Sequence, residues 1–277
     1  MSANLSNAAQ QQFDAEVKHV FQQSGKLRGT VTTRNDIVGD AYKFRKMGKG
    51  LANQKATSAD VVAMGVTHAL INCPLANWNA PEYTDIFDTK EVNFDEKTEL
   101  QTTIAGALGR RMDQLIIDSL TAATPAAAIA HGSAGLTVAK LIEASKTLTD
   151  KGVGSGGRHI AISAAGLEDL LGSSNITSAD YNNVRALVAG DINTFMGFQF
   201  HVIESRTEGG LPLSSASTPV RTGYAWHESA VGLAVGMEIT AKVDWVPQKT
   251  SWLCNGLMKA GAVARDGDGI VDINWQE

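Results

Sequence analysis

One string of glycines in this chain has the spacing of a dinucleotide-binding loop. Gly152, Gly154 and Gly157 match the pattern G-x-G-x-x-G, in which backbone N–H groups and a helix N-terminus hold a pyrophosphate. That chemistry requires a strand before the glycines and a helix after them. Here a predicted helix precedes the string and a predicted strand, residues 158–163, follows it. The order favours a flexible turn over the cofactor loop of an oxidoreductase, which stays an alternative.

A second string, Asp266-Gly-Asp268-Gly, begins like a calcium-binding loop. Such loops supply oxygen ligands from their first, third and fifth positions and close with a glutamate. The fifth position here is Ile270, and the chain ends before a suitable closing glutamate. Because Asp-Gly pairs are typical of tight turns, we expect a turn that joins two strands without a metal ion.

The other reactive side chains form no recognisable catalytic or metal-binding pattern. The histidines have no zinc-ligand spacing; they are His19, His68, His131, His159, His201 and His227. Cys73 and Cys254 lie far apart, and we expect both to be buried thiols of a reducing compartment. Nucleophile-elbow and phosphate-loop motifs are missing from the sequence. We therefore expect a protein that is not an enzyme, with no catalytic residues, cofactor or metal.

A tight group of charges, Arg110, Arg111 and Asp113, falls on a predicted helix. The i, i+3 spacing would let Arg110 pair with Asp113. A catalytic role is less favoured, because no second acid or nucleophile stands at a usable spacing. We interpret the group as an ion pair on the helix surface or between subunits.

The most basic part of the chain is a predicted hairpin within residues 27–67. Tyr42 and Phe44 alternate there with Lys43 and Arg45, which is typical of a hairpin with one apolar edge. Further cations follow at Lys46, Lys49 and Lys55. The whole chain is acidic, with a net charge of -5 and a sequence pI of about 5.7. This balance favours a solvated hairpin, or one that pairs with acidic groups of another subunit, over a polynucleotide-binding loop.

Hydrophobic periodicity predicts two helices that would frame this hairpin. The first spans residues 8–23, where Phe13, Val17 and Phe21 share one face; it packs either on its own domain or on a neighbour. The second spans residues 95–123 and would be about 43 Å long. Its apolar stripe runs through Leu100, Ile104, Leu108, Met112 and Leu115. Residues 77–94 are rich in Asp, Asn and Thr and are predicted to be a linker into this helix.

The C-terminal half combines shorter helices with strands. A helix is predicted over 137–148, with an inner face of Val138, Leu141, Ile142, Ser145 and Leu148. The segment 158–205 reads as a strand, a helix capped by Ser163, a polar link and a strand from Phe198. Residues 226–236 are predicted to form a helix of small residues, and three strands follow over 237–246, 250–264 and 270–275. Helices and strands are segregated, which indicates an α+β fold.

This order of elements resembles the major capsid proteins of tailed bacteriophages, which share the Hong Kong 97-like coat fold. The long helix, with Gly-Arg-Arg-Met-Asp at 109–113 and Leu-Ile-Ile-Asp-Ser-Leu at 115–120, is similar to the spine helix of that family. The stretches 157–163 and 187–192, with Gly197-Phe198, are similar to the axial domain. The resemblance covers nearly the whole chain.

The resemblance implies a division of the chain into five parts. They are an N-terminal arm (1–26), an extended loop (27–76), a first part of the peripheral domain with the spine helix (77–157), an axial domain (158–236) and closing strands of the peripheral domain (237–277). The inter-subunit contact candidates are then Phe13, Val17 and Phe21 of the arm, Lys43, Arg45, Lys46 and Lys49 of the loop, and Arg110, Arg111 and Asp113 of the spine helix.

The resemblance also implies function and partners. The chain would self-assemble into pentamers and hexamers of an icosahedral virion shell around double-stranded DNA, which it contacts loosely. It would be made in the host cytoplasm, with no membrane association, since no apolar run reaches the roughly 20 residues of a membrane helix. We expect a separate scaffolding protein, because no long leader precedes the arm, a portal protein at one vertex, and optionally a decoration or cement protein. Lys43, Lys46 and Lys49 lie on the loop that carries the crosslinking lysine in some relatives, although a crosslink cannot be assigned.

Two further alternatives remain open from the sequence. A nanocompartment shell of the encapsulin kind has the same coat fold, and only its cargo or genomic context distinguishes it from a virion. A nucleic-acid-binding module centred on residues 43–55 would show strongly salt-dependent binding.

Overall fold

The computed structural model describes residues 25–86, 96–172, 194–215 and 217–277. The predicted helix with Phe13, Val17 and Phe21 lies outside the described residues, as do residues 187–192 of the predicted axial domain.

The first sheet has four strands, in the spatial order β1 (Thr32–Arg34), β10 (Val231–Val246), β11 (Ser251–Ala264) and β4 (Ala76–Asp85). Its centre is the long antiparallel hairpin of β10 and β11, in which Val231 lies opposite Ala264 and Val246 lies opposite Ser251. The edge strand β1 is parallel to β10, and the other edge strand β4 is antiparallel to β11.

Helix α1 (Glu96–Thr121) packs against β10 and β11. Its 26 residues extend about 39 Å at 1.5 Å per residue. Ile104, Leu108 and Met112 are buried along one side of the helix. Gly256 of β11 permits a close approach, because a Cβ atom at this position would overlap Ile104 and Leu108. The predicted long helix is thus confirmed, and its apolar stripe is the contact with the sheet.

The second sheet has six strands, in the order β5 (Ala127–Ile129), β12 (Ile270–Gln276), β9 (Val220–His227), β6 (Arg158–Ser163), β8 (Phe198–Ile203) and β7 (Thr194–Phe195). Helix α2 (Val138–Asp150) packs on β12 and β5, and helix α3 (Ala164–Gly172) packs on β6 and β8. The Ser163 hydroxyl accepts the Gly166 N–H at 3.1 Å. The predicted Ser163 cap is therefore confirmed.

One apolar core joins the two sheets, and Trp226, Trp275 and Tyr224 are among its largest fully buried side chains. The Trp226 Nε1–H donates to the Thr30 carbonyl at 3.0 Å, which fixes the backbone just before β1. The Tyr224 hydroxyl lies 2.8 Å from the Thr121 hydroxyl at the end of α1. These two bonds connect the backbone before β1 and the C-terminal end of α1 to the second sheet.

A lysine is buried at the edge of the second sheet. The Lys140 amino group donates to the carbonyls of His131, Ala134, Gly135 and Asn274 at 2.9 to 3.1 Å. Burial lowers the pKa of Lys140, and the nearby Asp169 opposes the shift. Lys140 thereby fastens α2 to the loop before it and to β12.

Two histidines meet on neighbouring strands of the second sheet. The Nδ1 atom of His159 on β6 lies 3.1 Å from the Nε2 atom of His201 on β8. Burial lowers the pKa of both rings, to about 4 for His201, where the charges of His159 and Lys26 add to the effect. A hydrogen bond between the rings requires one of these nitrogens to be unprotonated, so the pair is stable only when it is not doubly charged.

A third, two-stranded sheet is the hairpin of β2 (Ala41–Met47) and β3 (His68–Pro74), with Ala41 opposite Pro74 and Met47 opposite His68. The predicted hairpin is present, but its second strand lies at 68–74, beyond the predicted range of 27–67. Residues 48–67, between the two strands, form no helix or strand.

Three local predictions were wrong. Residues 226–236 form the end of β9, a short 3-10 turn and the start of β10 instead of a helix. Residues 231–235 are all buried, so they lack the period-2 pattern that identifies a half-exposed strand. The linker at 77–94 contains most of β4, where Pro81 is tolerated because β4 is an edge strand. Ile142, predicted on the inner face of α2, is 51 % exposed.

The sheets also divide the chain differently from the five predicted parts. Of the closing strands, β10 and β11 belong to the four-stranded sheet, whereas β12 lies in the six-stranded sheet between β5 and β9. Strand β5 and helix α2, placed with the spine helix from the sequence, pack on that second sheet.

Neighbouring residues on α2 offer a direct check of this packing. Leu141→Ala should lower the free energy of unfolding by about 2–5 kcal/mol, because Leu141 is fully buried. Ile142→Ala, on the exposed side, should change it by less than about 1 kcal/mol. Urea unfolding followed by circular dichroism measures both values. Equal losses in the two variants would contradict the orientation of α2.

The histidine pair predicts an acid-sensitive component of stability. Because folding lowers the His201 pKa from 6.5 to about 4, the unfolded chain binds more protons in this window, and stability is lost as pH falls through it. Asp272, whose pKa burial raises to about 6, acts in the opposite sense, since its contribution is lost as pH rises.

Comparison of variants separates the two effects. His201→Gln should flatten the loss of unfolding free energy between pH 6.5 and pH 4, whereas His68→Gln at an exposed position should leave the profile of the parent unchanged. An identical profile for His201→Gln and the parent would show that the pair does not titrate as described.

Candidate assembly surface

The base of the hairpin is fixed by a small apolar cluster. Phe44 packs with Cys73 and Ala234, and all three are buried. Gly232 of β10 makes room for the Phe44 ring, which a Cβ atom at this position would overlap. Burial raises the pKa of the Cys73 thiol to about 11, so this side chain stays a thiol and takes part in packing rather than in chemistry.

Beyond this base, the connection between the strands carries apolar side chains into solvent. Every residue from 49 to 65 is exposed. Leu51 and Val61 are each 82 % exposed, and Val62 and Met64 are also exposed. An ordinary surface loop is polar, whereas several large apolar side chains held in solvent mark an interaction surface. We call residues 48–67 the apolar loop.

The basic side chains on β2 and at the start of the apolar loop differ in whether they bind other groups of the same subunit. Lys46 pairs with Asp266 at 2.9 Å, and the Lys49 amino group donates to the Lys151 carbonyl at 3.1 Å. Lys43 and Arg45 are exposed on the other face of β2. Lys46 and Lys49 therefore bind within their own subunit, and the inter-subunit role of all four cations stays a prediction.

The sequence predicts Asp113 in an ion pair on the helix surface or between subunits. In the structure, Asp113 is completely buried. Its carboxylate accepts the N–H groups of Lys26 and Leu27 at 2.9 to 3.1 Å and pairs with Arg206 at 2.9 Å. Burial raises the pKa of Asp113, while these hydrogen bonds and the Arg206 charge oppose the shift. The pairing of Asp113 with Arg110 was wrong, because the loop at 204–211 brings Arg206 to the carboxylate first.

The bonds of Asp113 to Lys26, Leu27 and Arg206, here called the Asp113 cluster, hold the backbone at the start of the first described range. Arg111, the other predicted member, stacks on Trp78 with its guanidinium carbon 3.7 Å from the ring centroid and pairs with Glu208 at 3.5 Å. Arg110 is half-buried. Asp113 and Arg111 thus hold parts of one subunit together, and their predicted contacts with a neighbour stay predictions. A contact role for Arg110 remains a prediction.

The glycine string and the Asp266–Asp268 string both form turns between elements of the fold. Helix α2 precedes the glycine string and β6 follows it, in the order opposite to that of a nucleotide loop. Gly152 and Gly157 both have positive φ, which explains glycine at these positions. The Asp266–Asp268 string forms the predicted turn, in which Asp266 Oδ1 accepts the Asp268 N–H at 3.1 Å. In the described part of the chain, no group of three or more potential metal ligands occurs.

A cavity of about 560 Å³ lies beside α1 and is lined by residues that include Arg206, Leu211 and Arg221. Arg221 pairs with Glu277 at 2.7 Å, and Arg206 pairs with Asp113. Both guanidinium groups are thus already neutralised, and the cavity is poorly suited to an anionic ligand. None of the helices in the described ranges combines the length and apolarity of a membrane-spanning segment.

The Asp113 cluster generates a stability prediction. Asp113→Asn should lower the free energy of unfolding by about 3–5 kcal/mol, because it removes the buried negative charge that pairs with Arg206 and accepts the N–H groups of Lys26 and Leu27. Asp118→Asn is a matched control on the same helix; Asp118 is exposed and its carboxylate accepts the Gln114 amide, so the cost should stay below about 1 kcal/mol. Chemical unfolding of both variants decides the matter, and a loss for Asp113→Asn no larger than the control would refute the buried anchor.

Comparison with known proteins gives a consistent result. A family model described as phage capsid protein matches residues 5–277 of the chain. No curated protein matches it in sequence.

Solved phage structures share the whole fold at low sequence identity. The head structure of Helicobacter pylori bacteriophage KHP40 superposes with a TM-score of 0.78 at 12% identity and covers 98% of both chains. The capsid of cyanophage P-SCSP1u gives a TM-score of 0.74 at 14% identity, over 99% of this chain and 94% of that chain. A structure from Mycobacterium phage Che8 gives 0.71 at 19% identity, over 95% and 96%.

These findings confirm the resemblance drawn from the sequence. They give no support to the oxidoreductase, the nucleic-acid module or the encapsulin-like compartment. The chain belongs to the phage capsid protein family, and its fold is the Hong Kong 97-like coat fold of major capsid proteins.

Proposed function

We propose that copies of this chain assemble, through pentamers and hexamers, into the icosahedral shell of a virion that encloses double-stranded DNA. The observation that carries the proposal is the apolar loop, which holds Leu51, Val61 and Val62 in solvent. A surface of this kind is satisfied by a second copy of the same chain.

The two sheets would correspond to the two domains of the coat fold. The four-stranded sheet with α1 would form the peripheral domain, and the six-stranded sheet with α2 and α3 would form the axial domain around symmetry axes. The hairpin of β2 and β3 with the apolar loop would be the extended loop. Residues 1–26 would be the arm, whose last residue, Lys26, is held by Asp113.

Each contact between subunits can be weak in this scheme. Full burial of one Val, Leu or Met side chain contributes about 1.5–3 kcal/mol, so one apolar loop would supply several kcal/mol before ordering costs. The same contact repeats around a closed shell, and the copies reinforce one another. Reversible single contacts also allow a misplaced subunit to leave.

Charge favours loose contact with the packaged DNA. The chain carries a net charge of -5, and Lys46 and Lys49 are bound within the subunit. A chain with this charge balance should adhere weakly to DNA, so that DNA could fill and leave the shell. The remaining partners expected for such a shell are a separate scaffolding protein, a portal protein at one vertex and, in some shells, a decoration or cement protein. Synthesis would take place in the host cytoplasm.

The proposal is tested by changing the apolar loop alone. A variant with Leu51→Ser, Val61→Ser and Val62→Ser should fold like the parent, because these side chains make no core contact, but should form at least tenfold fewer closed particles. Sedimentation and negative-stain microscopy, with and without scaffolding protein, measure the particle yield.

Ile142→Ser serves as the control, since it removes a large exposed apolar side chain from α2 and leaves the loop intact. It should assemble as well as the parent. Normal assembly of the triple variant would remove the support for the loop, and a parent that stays monomeric with scaffolding protein would overturn the proposed function.

A further inference from the structure

An acidic turn meets the extended loop where the apolar loop begins. The turn joins β11 to β12 and contains Asp266 and Asp268, the string first compared with a calcium loop. Asp266 pairs with Lys46 at the end of β2 at 2.9 Å. Asp268 pairs with Lys151, directly after α2, at 3.1 Å. The turn therefore contacts the extended loop on one side and α2 on the other.

A third lysine closes this arrangement. The Lys49 amino group donates to the carbonyl of Lys151, whose own amino group binds Asp268. Lys151, Lys49 and Lys46 together hold the pKa of Asp268 below its ordinary value, the hydrogen bond from Lys151 being the largest cause. Next to the turn, the Arg265 guanidinium lies 5.2 Å from the centroid of the Phe44 ring.

These contacts mark the limit of the loop that is fixed on its own subunit. Before them, Phe44 is packed in its apolar cluster. Between Lys46 and Lys49, the Gly48 N–H donates to the Thr67 carbonyl at 2.8 Å and joins the two sides of the hairpin. All residues from 49 to 65 are exposed. The direction in which the apolar loop leaves the body is thus set at Lys46 and Lys49.

The contacts are of a kind that can be released. The side chains of Lys46 and Asp266 are 41 % and 42 % exposed, so water and salt screen their attraction. The apolar cluster at Phe44 is not screened in this way. The base of the hairpin should therefore persist while the far end can swing.

We propose that the Asp266–Asp268 turn is an ionic clamp that sets the angle of the apolar loop in the free subunit. This inference rests on the proposed function, since it concerns the loop that would dock on a second copy. The clamp restricts the directions open to the loop before docking, which reduces the ordering cost of each contact. Its screening by salt makes the loop angle depend on ionic strength.

Hydrogen exchange of the full-length, unassembled subunit tests the clamp. Asp266→Asn/Asp268→Asn keeps an acceptor for the turn but removes both charges. Backbone amides at 45–49 and 66–69 should then exchange at least threefold faster at low salt, and the difference should vanish at about 1 M salt, where the Debye length is about 3 Å. Amides at 41–44, next to Phe44, should be unchanged.

Glu143→Gln/Asp244→Asn is the matched control, because it removes two exposed carboxylates that lie outside the turn. Lys46→Met breaks the clamp from the other side and should reproduce the faster exchange if the aspartate variant folds poorly. Equal exchange in the parent, the aspartate variant and Lys46→Met would overturn the clamp, as would an equal effect of the control.

Failure of the clamp can be distinguished from failure of the proposed function. If the parent assembles into shells while its exchange is insensitive to Asp266 and Asp268, the clamp fails and the capsid proposal stands. If the parent does not assemble under any condition tested, the capsid proposal fails even where the exchange data show the clamp.

Discussion

The structure depends on the apolar seam between α1 and the hairpin of β10 and β11. Ile104, Leu108 and Met112 pack there at helical spacing, and Gly256 lets the helix approach the sheet more closely than any other residue would. Because β10 continues from β9 of the second sheet through one short turn, the seam also fixes how the two sheets meet. The seam therefore joins the long helix, the four-stranded sheet and the start of the second sheet into one packed body.

The same seam anchors two segments that flank it. Asp113 on α1 holds the backbone at Lys26 and Leu27, and Gly232 on β10 accommodates Phe44 at the base of the extended loop. The backbone at Lys26 and Leu27 and the base of the hairpin are therefore both anchored on elements of the same seam. The position of the seam therefore determines where the segments that would contact a neighbour leave the body.

Periodic segments were predictable from the sequence, and buried small-residue segments were not. Ile104 and Leu108 at i, i+4 predicted α1, and the alternation around Phe44 predicted the hairpin. Residues 231–235 are buried throughout, so their run of Val, Gly, Leu and Ala carries no strand period and was read as a helix.

Charged contacts between distant segments were equally hidden from the sequence. Asp113 and Arg206 stand 93 residues apart, and Arg110 offered a closer partner at helical spacing. The apolar loop itself gave a weak signal, since Leu51, Val61, Val62 and Met64 become unusual only when the fold leaves them exposed. Lys140 carried no signal either, because its four carbonyl partners come from a loop and from β12.

The central claim is that the apolar loop completes its packing on another copy of the chain. An electron cryo-microscopy reconstruction of the assembled particle tests this most directly. The account predicts a closed shell in which Leu51, Val61 and Val62 of each subunit are buried against a neighbouring subunit. A shell in which residues 48–67 lie in solvent, or fold back on their own subunit, would contradict it.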